Sequence, residues 1–219
     1  MLAPLVLSLA LSTQPCAASL PQRLVPRGAA RQLVTVTTSS ARATSGTLRL
    51  WTRPRAGCWQ PAGGPWRARL GMAGVSADRR EGDGTTPLGV FTIGATMYGV
   101  APDPGVRFRY HRLACGDWWD GDPSSPTYNS FRHVPCGETP PFRGDSEALW
   151  EQRVAYRYFA VIGFNDAPVV PGRGSAIFLH VDTGGPTNGC VSLPQQQLVH
   201  VLRWLDPSAG PRIAIALAT

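Results

Sequence analysis

Glycine and proline interrupt this chain so often that long helices have little room to form. Of its 219 residues, 24 are Gly and 21 are Pro, and both residue types favour turns and end regular elements. The hydrophobic fraction of 43% is ordinary for a globular protein. We therefore expect one domain built mainly from short strands.

The charge of the chain is basic, with a formal net charge of +7, and every basic residue other than His is Arg. The arginines are scattered, and no basic run alternates with aromatic residues, so the pattern predicts no nucleic-acid binding. A basic surface is compatible with an anionic cell wall.

The N-terminal residues have the character of an export signal. An apolar run at 2–12 is followed by small residues at 16–18, and the run is too short to span a membrane. We interpret residues 1–18 as a signal peptide and the polar, Arg- and Thr-rich residues 19–46 as a flexible leader. The folded domain is expected at 47–219, in a secreted protein that is peripheral to a membrane at most.

Alternating and β-branched segments predict strands, and one segment predicts a helix. The expected strands lie at 47–51, 66–71, 90–93, 153–163, 175–181 and 211–217. Pro194 and the helical spacing of leucine and valine predict a helix over 194–205. The irregular residues 99–150 are too long for an ordinary connection, so we interpret them as a functional insertion or an excursion over the sheet. The fold class is therefore mainly β, a β-rich α+β domain with one clear helix near the C-terminus.

The chemistry of the chain concentrates in one stretch near the C-terminus. An apolar run ends at His180, a loop of Gly, Thr and Asn follows, and Gly189-Cys190 precede a second apolar step. A thiol needs a base to act as a nucleophile at neutral pH, and imidazole is the usual one. Gly before the Cys also allows backbone N–H groups to face a developing oxyanion.

Two segments of the chain resemble the YkuD-type L,D-transpeptidases. The first is Thr187-Asn-Gly-Cys-Val191 after His180, and the second is Gly82-Asp-Gly-Thr-Thr-Pro-Leu-Gly-Val-Phe91. Asn188 stands where the family usually has His or Arg, and the loop before Thr187 is shorter than in its best-known members. The resemblance covers roughly residues 47–219 and implies a YkuD-like mixed β-sheet or sandwich domain.

The resemblance implies an enzyme that forms 3→3 crosslinks in peptidoglycan. Cys190 would attack the carbonyl between the third and fourth residues of a stem tetrapeptide, and His180 would take the thiol proton. The resulting thioester would be resolved by an amine of a neighbouring stem. The partner is thus a peptidoglycan stem peptide, and no metal or organic cofactor is required.

The same loop supplies the remaining expected site residues. The backbone N–H groups of Gly189 and Cys190 would hold the oxyanion, and a carbonyl near Val181 would orient the imidazole. The expected substrate-binding residues are Asn188, Thr187 and Gly185. Two alternatives stay open: an L,D-carboxypeptidase, in which water resolves the thioester, and a non-catalytic wall-binding relative with a decayed site.

The other cysteines predict a disulfide in the irregular segment. Cys115 and Cys136 bracket a loop within that segment, and in an exported protein the default is a bridge between them. The alternative is a structural zinc site that also uses His111 and His133.

Cys16 and Cys58 have no obvious partners in the sequence. We expect Cys16 to leave with the signal peptide and Cys58 to be a free, buried thiol.

Overall fold

The structure is a computed structural model that describes residues 16–26, 28–55 and 57–218. Its strands in chain order are β1 (Gln32–Thr38), β2 (Ser45–Thr52), β3 (Gln60–Arg69), β4 (Val75–Ser76), β5 (Thr86–Pro87), β6 (Gly89–Gly99), β7 (Arg109–Arg112), β8 (Asp117–Asp120), β9 (Ser130–His133), β10 (Glu147–Ala148), β11 (Phe159–Gly163), β12 (Phe178–Val181), β13 (Val191–Leu193) and β14 (Arg212–Leu217). The α-helices are α1 (Leu20–Leu24) and α2 (Gln195–Trp204), and 3₁₀ turns lie at Leu149–Glu151, Ala155–Arg157 and Pro207–Ala209.

The main sheet curls until its ends meet. Its strand order is β11-β12-β13-β3-β2-β1-β14-β6-β7, and β11 also pairs with β6. This extra pairing closes a barrel of eight strands, from which β7 branches. The described residues contain 37% strand and 12% helix, so the expectation of a mainly β, YkuD-like fold is confirmed.

Helix α2 covers the part of the barrel that carries β12 and β13. Its buried face consists of Leu198, Val201 and Leu202, and the following Leu205 is buried as well. These side chains join the main core, which also contains Leu179 and Leu193 of the two strands. The helix predicted over 194–205 is confirmed, with Pro194 as its N-cap.

The expectation of a flexible leader at 19–46 is wrong where β1 begins. Strand β1 lies between β2 and β14 and is buried on both faces. The threonines of this strand can be buried because their hydroxyl groups are hydrogen-bonded. Trp51 Nε1 donates to Thr35 Oγ1 at 2.8 Å, and Thr38 Oγ1 donates to Ser45 O at 2.9 Å. A Thr-rich segment can therefore form a central strand, and the barrel begins well before residue 47.

The strand predicted at 153–163 is only partly correct. Its first half forms the 3₁₀ turn at Ala155–Arg157, and β11 begins at Phe159. The irregular segment 99–150 does form an excursion. It contains β7 and a separate three-stranded sheet in the order β10-β8-β9.

Two disulfides are present among the described residues. Cys115–Cys136 confirms the expected bridge in the irregular segment. Cys58 is bonded to Cys16, so the expectation that Cys58 is a free thiol is wrong; the pairing was missed because Cys16 was assigned to the signal peptide. The rest of the segment expected to be a signal peptide, residues 1–15, lies outside the described residues. No helix in the described part of the chain is long and apolar enough to cross a membrane.

Candidate active site

Two neighbouring parallel strands bring His180 and Cys190 together. His180 lies on β12 opposite Ser192 of β13, and Cys190 directly precedes β13. Side chains alternate between the faces of a strand. Leu179 therefore faces the main core, while His180 faces the same side as Phe178, whose backbone N–H donates to Cys190 Sγ at 3.3 Å.

The imidazole of His180 is fixed in one orientation. Its Nδ1 lies 2.8 Å from Val181 O, and since a carbonyl can only accept, Nδ1 carries the proton and Nε2 is left as the basic nitrogen. A carbonyl near Val181 was expected in this role. Burial lowers the pKa of His180 to about 4, although the bond to Val181 and the charge of Asp182 oppose this effect.

The thiol of Cys190 is held in its protonated form. Its Sγ donates to Ala176 O at 3.2 Å, and the residue is only 8% exposed. Burial raises the pKa of the Cys190 thiol to about 12, and the charge of Glu147 contributes in the same direction. The site therefore presents a neutral thiol and a neutral imidazole on the same face of β12 and β13.

The carbonyl that accepts the thiol proton belongs to a strained residue. Ala176 has φ of 53°, in the left-handed region that non-glycine residues rarely adopt. Its N–H donates to Asn129 Oδ1 at 3.1 Å, and Asn129 in turn donates to the carbonyls of Phe164 and Asn165. Asn129 thus helps to hold Ala176 in place, and no local pattern predicted that it would lie there.

The loop before Cys190 is tied together by Thr187. Its hydroxyl donates to Cys190 O at 2.6 Å and accepts from Gly189 N at 3.1 Å. The Gly189 N–H is therefore not free, which corrects the expectation of two oxyanion donors. The Cys190 N–H makes no hydrogen bond to the described residues and remains the candidate donor.

The three residues expected to bind substrate occupy different positions. Asn188 is exposed and lines the cavity above Cys190. Thr187 also lines the cavity, but its hydroxyl is engaged within the loop. Gly185 lies in the same loop without lining the cavity.

Gly189 is required for a reason that the sequence did not reveal. Its φ is 132°, and a Cβ there would lie 2.7 Å from both Arg79 Nη1 and Thr85 O. The backbone before Cys190 therefore packs directly on a guanidinium. No site residue was assigned to the segment at 82–91 from the sequence, and Arg79, which lies just before it, was not among the expected site residues.

A cavity of about 850 Å³ contains the site. One wall comes from the loops around β12 and β13, and a second comes from residues 79–84. The third comes from the excursion and the 3₁₀ turns, and includes Trp118, Glu147 and Tyr156. None of the expected site residues lies in this third wall, because its segments are irregular and distant along the chain from His180 and Cys190.

The half-buried Glu147 and the buried Tyr156 form an acid–phenol pair within that wall. The Tyr156 hydroxyl donates to Glu147 Oε2, and the Tyr156 ring meets the His180 ring edge-on at 5.8 Å. Burial raises the pKa of Glu147 to about 7, although the hydrogen bond from Tyr156 opposes the rise. Glu147 therefore titrates near neutral pH close to the thiol.

The zinc alternative is wrong, because the two cysteines it needs form a disulfide. The histidines instead bracket Asp117, with His111 Nε2 and His133 Nδ1 each 2.8 Å from a carboxylate oxygen. Burial pushes the pKa of Asp117 up, but these bonds and the Ala114 N–H outweigh it and lower the pKa. Among the described residues, no group of His, Cys, Asp and Glu has the arrangement of a metal site.

The fold and the site together define a closed β-barrel domain with a buried Cys–His pair at the floor of a cavity. The sequence model of the YkuD family, described as the L,D-transpeptidase catalytic domain, matches residues 41–214. The chain therefore belongs to this family. No curated protein and no solved structure matches the chain. Its cell-wall enzyme domain and its disulfides indicate an extracellular protein.

Proposed function

We propose that the protein is an L,D-transpeptidase that forms 3→3 peptidoglycan crosslinks through a thioester on Cys190. The observation that carries this proposal is the placement of Cys190 and His180 on one face of adjacent strands at the floor of a large cavity. The family provides the substrate class, and this pair provides the nucleophile and base that acyl transfer requires.

The protonation states of Cys190 and His180 favour general-base catalysis over a preformed thiolate–imidazolium ion pair. With the thiol pKa at about 12 and the imidazole pKa at about 4, thiolate is scarce at neutral pH. The thiol therefore gives up its hydrogen bond to Ala176 O, and its proton passes from Sγ to His180 Nε2 as Sγ attacks the carbonyl carbon. The Cys190 N–H is the candidate donor to the oxyanion.

The acyl-enzyme then forms and reacts with a second stem, and His180 carries the proton in both steps. The amide C–N bond breaks, His180 returns its proton to the leaving amine, and a thioester remains on Cys190. An amine of a second stem attacks the thioester carbonyl and gives its proton to His180, the C–S bond breaks, and His180 passes the proton to Sγ, which restores the thiol. If water attacks instead, the product is a shortened stem and the protein is an L,D-carboxypeptidase.

Incubation with a tetrapeptide-bearing muropeptide, followed by mass analysis, separates these outcomes. We expect a crosslinked dimer that has lost one D-Ala. A shortened monomer alone would identify a carboxypeptidase, and an unchanged substrate would indicate a wall-binding relative without activity.

Variants assign the roles of the two residues. Cys190→Ala should abolish turnover, and His180→Gln should reduce the rate at least ~10²-fold, as expected for loss of a general base. His200→Gln is the matched control, since this histidine lies on α2 against Trp66. Near-normal turnover by His180→Gln would exclude His180 as the base.

A further inference from the structure

The side chain of Arg79 is buried beside the nucleophile with three of its five N–H donors unused. It is 4% exposed, and Nη1 donates to Thr85 O at 2.6 Å and to Asp83 Oδ1 at 3.0 Å. Nε and Nη2 make no hydrogen bond to any residue that the structure describes, and Nε is fully buried. A buried donor without a partner is costly, so such a group is a strong indication of a missing acceptor.

The pairing with Asp83 leaves much of the positive charge of Arg79 available. Asp83 Oδ1 also accepts from Thr85 N and Thr85 Oγ1, and its Oδ2 accepts from Arg80 N. The carboxylate is thus shared among four donors other than Nε and Nη2. Of the two unused nitrogens only Nε is fully buried, so Nη2 is the donor that an incoming carboxylate can reach.

Two glycines hold the guanidinium against the site. A Cβ at Gly174 would lie 2.8 Å from Arg79 Nε, and a Cβ at Gly189 would lie 2.7 Å from Nη1. The loops before β12 and before β13 therefore both pack on this side chain. Its charge also acts on Cys190, since it opposes the rise of the thiol pKa.

The rest of the cavity is acidic. Glu81, Asp145, Glu147 and Glu151 line it, whereas Arg79 is the only arginine among the described residues that do so. An anionic group entering this cavity is repelled by the other walls and has one cationic group with which to pair.

We infer that Arg79 binds the free C-terminal carboxylate of the acyl-donor peptide next to Cys190. This inference rests on the proposed function and gives it a specificity: the residue that leaves must be the last residue of the stem. When the scissile carbonyl lies at Cys190 Sγ, the carboxylate of a single leaving residue is only a few bonds away. A stem extended by one residue would carry its charge out of reach of Arg79.

The decisive comparison uses one peptide with two C-termini. The Cys190→Ala variant, which cannot turn over, is titrated calorimetrically with a stem tetrapeptide ending in a carboxylate and with the same peptide ending in a carboxamide. We expect the acid to bind at least ~10-fold more tightly, as a charge-assisted pair in a buried setting implies. Equal affinities, or no binding of the acid, would overturn the inference.

A second pair of variants tests whether Arg79 causes the preference for the peptide acid over the carboxamide. In the Cys190→Ala background, Arg79→Gln should remove the preference for the acid, and Arg80→Gln should keep it, because the Arg80 side chain is 75% exposed and pairs with Asp78. Preference retained by a folded Arg79→Gln variant would contradict the assignment. Should Arg79→Gln fail to fold, the acid and amide comparison in Cys190→Ala still decides the inference.

Measurements of turnover by the unmodified protein show whether the carboxylate subsite or the proposed reaction is the part that fails. A protein that crosslinks acid and amide donors equally would be a transpeptidase without the carboxylate subsite. A protein that prefers the acid in binding but forms no thioester would retain the subsite and lose the proposed reaction.

Discussion

At the scale of single residues, the site is governed by which groups carry charge in the folded protein. Burial keeps both Cys190 and His180 neutral, with pKa values of about 12 and 4. Glu147 is the group whose charge changes in the physiological range, because its pKa is raised to about 7. The reactivity of the thiol should therefore depend on the protonation of Glu147.

Replacing Glu147 with Gln should make Cys190 more reactive. The ionised Glu147 disfavours the thiolate, so Glu147→Gln should raise the rate of thiol labelling severalfold above pH 7. Below pH 6 the wild-type carboxyl is largely protonated, and the two proteins should label at similar rates. The measurement is the rate of reaction with a disulfide reagent from pH 5 to 9.

The matched control for this labelling experiment is Glu151→Gln, which also lines the cavity. It should behave as the wild type does. An equal effect of both variants, or no effect of Glu147→Gln at any pH, would show that Glu147 does not act on the thiol.

A second prediction at this scale concerns Gly189. Gly189→Ala should greatly reduce turnover and lower stability, because its φ of 132° and the contacts with Arg79 and Thr85 leave no space for a Cβ. Gly185→Ala is the control, since a Cβ there meets no atom within 4 Å. Turnover assays and thermal melts compare the two, and equal behaviour would contradict the packing argument.

At the scale of elements, the sequence predicted those whose apolar pattern follows one face. Helix α2 and strand β2 are of this kind, whereas β12 and β14 were predicted as short apolar runs. Strand β1 was missed because it is buried on both faces and its threonines are satisfied by other parts of the barrel. His180 and Cys190 were predicted because they lie within one short stretch.

The remaining parts of the site could not be predicted from local patterns. Tyr156 was assigned to a strand, and the structure places it in a 3₁₀ turn beside His180. Arg79 and Glu147 approach Cys190 only through the folding of distant segments, and nothing in their immediate sequence distinguishes them from surface charges. The left-handed backbone of Ala176 depends on Asn129, which lies 47 residues earlier.

The disulfides give a prediction at the same scale. In a protein that retains residue 16, thiol counting under denaturing conditions should give one free thiol, Cys190. In the chain-entropy model, the bridge between Cys16 and Cys58 stabilises the fold by about 4 kcal/mol and the bridge between Cys115 and Cys136 by about 3 kcal/mol. A count of three or five free thiols in the oxidised protein would contradict the pairing.

At the scale of the whole molecule, His180 and Glu147 have opposite effects on how the free energy of unfolding depends on pH. His180 has a folded pKa of about 4 against 6.5 for the unperturbed group, so its contribution to stability is lost as pH falls through this window. Glu147 has a folded pKa of about 7 against 4.5, so its contribution is lost as pH rises. The two contributions largely offset each other between pH 4.5 and 6.5.

Single variants should reveal each contribution. In Glu147→Gln the free energy of unfolding should rise more steeply with pH between 4.5 and 6.5 than in the wild type. In His180→Gln it should fall with pH over the same range. Urea midpoints at several pH values measure both slopes, and identical slopes in all three proteins would refute the assignment of these titrations.

The placement of Trp118 has a practical consequence for spectroscopy. Its indole lines the cavity and stands edge-on to Trp150, with ring centroids 5.2 Å apart. A ligand that displaces water from this wall changes the polarity around one fluorophore while the buried Trp59 and Trp119 remain shielded. The emission spectrum of the unlabelled protein therefore offers an optical signal of occupancy, available even in variants that cannot react.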